Sequence, residues 1–237
     1  MNEFDINYDY RKDSICGDPD TDSNKLYEVH QYLWSKKLRN DNLLYLEKIK
    51  IGGKFSRYLL KNNSGDNLSS DRMCPHFIGS YRGKLDHLIN ETDKEEIKYI
   101  VRTIGGHIVF PAHKKDGLTI NQARGVNKKI CDRFDLTLEC IKRFYENRQS
   151  PLYNTLMRYE DFFKLFENFE NYIEFFLLQD FVDNECNVNF SLPFNDFQRT
   201  PLPENREEYL LYKEHIFDNI KRRNIRIMNY IKTNSIT

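Results

Sequence analysis

Phe169-Glu170-Asn171-Tyr172-Ile173-Glu174-Phe175-Phe176-Leu177-Leu178-Gln179-Asp180-Phe181-Val182 decides how the chain is read. Wound at about 100° per residue, its apolar side chains point nearly all round, the pattern of a helix enclosed by protein. The stretch predicts a central helix over 169–182. Asp180 then falls among Phe169, Ile173 and Phe176, and Gln179 falls between Phe175 and Phe176. A carboxylate in such surroundings costs several kcal/mol unless a cation or several donors meet it. By residue type, Arg124, Arg133 and Arg158 are the expected partners.

Upstream, the pattern predicts three more helices. Thr119 caps the first, 120–133. Asp135 caps the second, 136–147, and Ser150-Pro151 opens the third, which runs to about 166. In the first, Ile120, Ala123, Val126, Ile130, Cys131 and Phe134 share a face. Asn127 falls inside that face, Arg124 falls on its edge, and Gly125 leaves room for a close approach. In the second, Glu139 and Arg143 lie opposite the apolar side, as a solvated pair would. A last helix over 205–231 presents Ile216, Ile220, Ile227 and Ile231, with Asn224 intruding.

The first half reads differently. Residues 1–22 hold seven acids against Arg11 and Lys12 and read as an irregular acidic arm. Ser23 caps a helix to about 35. Leu43 to Ile51 and Arg57 to Lys61 form a hairpin about Gly52-Gly53. Residues 62–70 are a polar loop and 81–89 a short helix. Thr92-x-x-Glu95 opens a helix that stops at Gly105-Gly106. His107 to Phe110 and Val188 to Leu192 are short strands. The expected fold is mainly α with a small β element (α+β). It is a single domain over 1–237: a mixed part at 23–118 and a helical core at 119–231 around the central hydrophobic helix.

Composition narrows the class. The chain has 237 residues, 36 Lys+Arg and 36 Asp+Glu, which disfavours a globally basic nucleic-acid coat. At 39% hydrophobic and 14% aromatic residues it is too apolar for a disordered chain. No secretory leader, lipidation box or spanning segment is read, so a cytoplasmic protein with no membrane partner is expected. The five cysteines are scattered, as in a reduced compartment. Scarce alanine with abundant Asn and Ile suggests an AT-rich, bacterial genome.

The familiar motifs are absent. Gly79 to Lys84 has the wrong spacing for a phosphate loop, and Cys74-Pro75-His76 has no second pair to complete a metal site. No cofactor is indicated and no metal is expected. Arg102 and His107 match the Arg-x4-His spacing of small helical ribonuclease-type domains. There the pair must share a helix face, and Gly105-Gly106 interrupts it here.

The run from Thr119 to Asn127, continued by Asp132-Arg133-Phe134-Asp135-Leu136-Thr137-Leu138-Glu139-Cys140-Ile141, resembles the signature of an uncharacterised bacterial family. Ser150-Pro151-Leu152, Arg158-Tyr159-x-Asp161-Phe162-Phe163 and Phe175-Phe176-Leu177-Leu178-Gln179-Asp180 fit it too. So do Leu33-Trp34-Ser35-Lys36 and the stretch from Ile104 to Pro111. The resemblance implies a fold unit and a bacterial origin, and lends no activity.

Two functional expectations follow. In the first, Arg124, Asn127, Arg133, Asp135, Arg158 and Asp180 bind a phosphorylated small molecule, a nucleotide or nucleic acid. Arginines would grip phosphate with paired N–H donors, and Asp135 or Asp180 would serve as base or hold a cation. Nine basic residues against five acids over 112–148, and the acid-free basic stretch from Lys221 to Lys232, favour an anionic partner. In the second, the chain is a non-catalytic interaction module of a stress or defence system, and the polar cluster only fixes helix packing.

Overall fold

The computed structural model describes residues 5–52, 57–74 and 85–234. The predicted helix at 81–89, Gly79 to Lys84, and Pro75 and His76 fall wholly or largely outside them. Helix α1 is Pro19–Asp22 and α2 is Asn24–Trp34. Ser23 caps α2 as expected, its hydroxyl accepting from the Leu26 N–H. Strands β1 (Lys36–Lys37) and β2 (Leu43–Leu44) pair as a two-stranded ribbon. Strands β3 (Leu46–Ile51), β4 (Arg57–Asn62), β5 (Asn67–Arg72) and β6 (His107–Pro111) form an antiparallel sheet in the order β3-β4-β5-β6. The expected hairpin is β3–β4, in which Leu46 faces Asn62 and Ile51 faces Arg57.

The helices that follow are α3 (Glu91–Ile100), α4 (Ile120–Val126), α5 (Phe134–Tyr145), α6 (Tyr153–Arg158), α7 (Glu160–Lys164), α8 (Phe169–Phe175) and α9 (Arg206–Asn234). Nine helices and two antiparallel sheets of two and four strands, among the described residues, make this a mixed α+β fold. That corrects the expectation of a mainly α chain with a small β element. Polar β5 is one reason. Asn67, Ser69 and Ser70 read as loop, yet they pair with β4 and β6 and sit mid-sheet. Long expected helices also break into short ones: 120–133 ends at Val126, and 150–166 divides into α6 and α7. Val188 contributes only an isolated bridge to Val182.

The central helix is shorter than predicted. After Phe175 the chain turns through Leu177 at φ 53°. Leu177 N–H donates to the Glu174 carbonyl (3.2 Å) and Leu178 N–H to that of Ile173 (2.9 Å). These are the paired bonds of a Schellman stop, with leucine where glycine is usual. Gln179–Phe181 is then a single 3-10 turn. The region is central all the same. Phe176 and Leu178 are buried in a hydrophobic cluster that runs from Tyr10 to Ile231.

The acidic arm is built into the fold. Tyr10–Asp13 forms a 3-10 turn, Tyr10 is buried, and its N–H donates to the Arg102 carbonyl at 3.1 Å. Among the described residues no helix is long and apolar enough to cross a membrane.

Candidate functional site

The residues singled out from the sequence do not gather at one site. Arg124 on α4 is fully buried. Its guanidinium pairs with Asp71 of β5 and donates to Thr137 Oγ1 (2.9 Å) and to the carbonyls of Met73 (2.8 Å) and Asp132 (3.0 Å). Asp71 rises to about 7: burial raises it, Arg124 pulls it back, and Asp20 and Asp132 add to the rise. Arg133 grips Asp135 through two nitrogens and donates to the Pro201 carbonyl (3.0 Å). Asp135 also accepts from the N–H groups of Leu136 and Ser191. It therefore pins the first turn of α5 and does not cap it. Arg158 donates to the Leu118 and Asn154 carbonyls and lies against Gly117.

Asp180 finds a different cation from the three expected. Arg226 on α9 meets it with two bonds, at 2.8 and 3.0 Å. Asn127 ends α4 and is only half-buried, its amide donating to the Pro151 carbonyl at 3.1 Å. Glu139 and Arg143, expected in solvent, are both buried and bonded at 2.7 Å. Asn224 accepts from the Gly105 N–H (2.6 Å) and donates to Thr103 (2.9 Å), so its intrusion is a packing pin.

Arg102 and His107 do converge, but on a carboxylate of the arm. Asp20 receives Arg102 at 3.0 Å and His107 Nδ1 at 2.9 Å. The helix ends at Ile100, before the glycines expected to stop it, and the pair meets across a turn and a strand instead. Trp34 Nε1–H can only donate, so His30 Nδ1 accepts it at 3.0 Å, and His30 Nε2–H donates to Ser70 Oγ at 3.1 Å. Ser70 in turn donates to Asp20 at 2.7 Å. Burial, then His107, hold His30 well below its ordinary value, so it stays neutral. Serine, histidine and aspartate are all present, yet not as a nucleophilic triad. The carboxylate sits directly on the hydroxyl, and the neighbouring His30 donates instead of accepting.

The cavity lies elsewhere. At the end of α2 the chain enters β1, and Lys36 turns into a concavity of about 580 Å³ between β1, α8 and the end of α9. That volume is typical of small-molecule sites. The Lys36 ammonium lies 4.6 Å from the ring centres of Phe175 and Tyr230 and 5.2 Å from that of Trp34. Burial pushes it down to about 7, with Glu174 opposing and Arg223 assisting. At the rim Arg39 Nε holds Glu174 at 3.1 Å. Gln179 also lines the space, and its buried Oε1 accepts no hydrogen bond from any described residue. A second concavity of about 560 Å³ is lined by Asn127, Lys128, Lys129 and Arg143 among others, with Arg143 paired to Asp196. Among the described residues no group of three or more His, Cys, Asp or Glu is placed to hold a metal.

Of the residues flagged by sequence, only Gln179 reaches the Lys36 cavity. Lys36 went unmarked as a site because its three rings come from residues 34, 175 and 230. The available signal was that two family-like stretches, Leu33 to Lys36 and Phe175 to Asp180, carry polar residues amid aromatics.

The chain belongs to a family of unknown function (DUF6994), whose match covers residues 4–227. No curated protein and no solved structure matches it significantly.

Proposed function

We propose that this protein binds a small phosphorylated molecule, of about mononucleotide size, in the cavity around Lys36. The ligand class is the one expected from the sequence, and its site moves away from Arg124. The observation that carries the reading is the charge of the lining: Lys36, Lys37 and Arg39 face the space with Glu174 as the carboxylate beside them. Phe166, Phe175 and Tyr230 offer ring surface to the rest of the ligand. An extended nucleic-acid strand fits such a cavity poorly.

The test is calorimetric titration with inorganic phosphate, AMP and adenosine. AMP should bind the wild type, adenosine should bind at least about tenfold more weakly, and Lys37→Glu with Arg39→Glu should abolish the difference. Equal binding of AMP and adenosine, or no binding of either, would overturn the reading.

A further inference from the structure

Lys36 is an unusual amine. Three aromatic rings surround its Nζ, and no described carboxylate forms an ion pair with it, because the nearby Glu174 is held by Arg39. Lys36 also lines the cavity. Resting on the cavity reading above, we propose that Lys36 is a nucleophile that condenses with the carbonyl carbon of a small aldehyde or ketone bearing an anionic group.

The titratable and charged groups around it set its state. Glu174 on α8 favours the ammonium and Arg223 on α9 the neutral amine, while Lys37, Arg39 and Tyr230 complete the lining. Burial leads, and Lys36 titrates near neutrality, so a substantial share of molecules carries a free lone pair at pH 7. Desolvation in an apolar pocket is one of the established ways to activate a lysine.

The step balances without an oxidant or reductant. The nitrogen lone pair attacks the carbonyl carbon and a C–N bond forms. The carbonyl π pair moves to oxygen, which takes a proton from water, and the nitrogen gives up a proton, leaving a carbinolamine. The hydroxyl then takes up a proton from solvent and departs as water while the nitrogen lone pair forms C=N, leaving a protonated imine. Arg39 and Lys37 hold the anionic group of the reactant.

The test uses pyridoxal 5′-phosphate as an aldehyde with a phosphate, borohydride to trap the imine, and peptide mass spectrometry to locate it. Pyridoxine 5′-phosphate, which keeps the phosphate and lacks the carbonyl, is titrated calorimetrically alongside. At pH 7 Lys36 should be labelled about tenfold or more faster than surface lysines such as Lys61. Pyridoxine 5′-phosphate should slow the labelling, and Lys36→Arg should lose it while still binding pyridoxine 5′-phosphate. Binding of pyridoxine 5′-phosphate without preferential labelling of Lys36 overturns the covalent step and leaves the binding reading standing. Absence of both overturns the two together.

Discussion

Arg223 Nη2 donates to the Phe176 carbonyl at 2.9 Å, and Nε of the same side chain donates to the Leu177 carbonyl at 3.2 Å. The end of α8 is thus satisfied from α9, 46 residues further along the chain. Nη1 reaches the carbonyls of Gly105 (2.9 Å) and His107 (2.7 Å), so one guanidinium ties the helix end to the start of β6. Arg223 is fully buried, and burial lowers it from 12.5 to about 9. Its hydrogen-bond partners are four neutral carbonyls and the Met73 sulfur. A leucine at positive φ costs about 1–2 kcal/mol. The guanidinium compensates by satisfying the carbonyls that the turn exposes.

Arg223→Met should therefore strand four buried carbonyls. The expected loss in urea unfolding is about 3–5 kcal/mol, since each unsatisfied buried group costs about 1–3 kcal/mol and some will find water. A loss below about 1 kcal/mol would mean that the helix end holds itself without the arginine.

Arg124 and Asp71 form the second test. Arg124→Gln leaves Asp71 without its cation and should cost about 3–5 kcal/mol. Asp71→Asn should recover part of that in the double mutant, because it removes a carboxyl that must otherwise stay charged without its cation or take up a proton. Asp180→Asn should give no such recovery, since Asp180 answers to Arg226. Rescue by Asp180→Asn instead would contradict the pairing.

What could be read from the sequence divides along physical lines. Helices α2 and α9 and the β3–β4 hairpin were legible because each has a local signal: a serine cap, a long apolar stripe, a glycine turn. Strand β5 was not, because its polar residues are satisfied by partners far away in sequence, such as Ser70 by Asp20 and Asp71 by Arg124. The end of α8 was hidden for a similar reason. Leucine carries no stop signal, and the cation that makes the stop tolerable lies on α9. Asp180 reads as set among apolar residues and in need of a cation, but Arg124, expected at the edge of its helix's apolar face, is fully buried, and residue type alone does not say which acid meets which base.

Asp20 offers a test in acid. Burial raises its carboxyl, but His107 first and then Arg102 and Ser70 outweigh that and hold it well below 3.8. A carboxyl lowered in the folded state gives stability that is full above its unfolded value and fades as pH falls below it. Wild type should exceed Asp20→Asn in urea unfolding by a constant margin from pH 7 down to about 5. The margin should narrow by about 1 kcal/mol at pH 3. A margin unchanged at pH 3 would show that the carboxylate charge is not what anchors the arm.

Phe176→Ala tests whether the shortened helix end still marks the core. The Phe176 ring is buried against Trp34, Phe166 and Tyr172, with centroids 5.3, 5.2 and 5.0 Å away. Removing it leaves a cavity, and the expected cost in denaturant unfolding is about 3–5 kcal/mol. A cost below about 1 kcal/mol would place the core elsewhere.

Lys36 makes the last prediction, and its sign is opposite to that of Asp20. Burial lowers Lys36 to about 7 in the folded chain against an ordinary 10.5. Between those values the unfolded chain binds more protons than the folded one, so stability rises with pH. At or below pH 7 the desolvation of Lys36 weighs fully against folding, and its cost fades towards pH 10.5. Lys36→Met keeps the ring contacts without the charge. It should be more stable than the wild type at pH 6.5, and that advantage should shrink steadily by pH 9.5, as read by paired urea titrations. An advantage that is flat across this range would mean that Lys36 titrates like a surface lysine. The cavity would then hold an ordinary ammonium in place of an available amine.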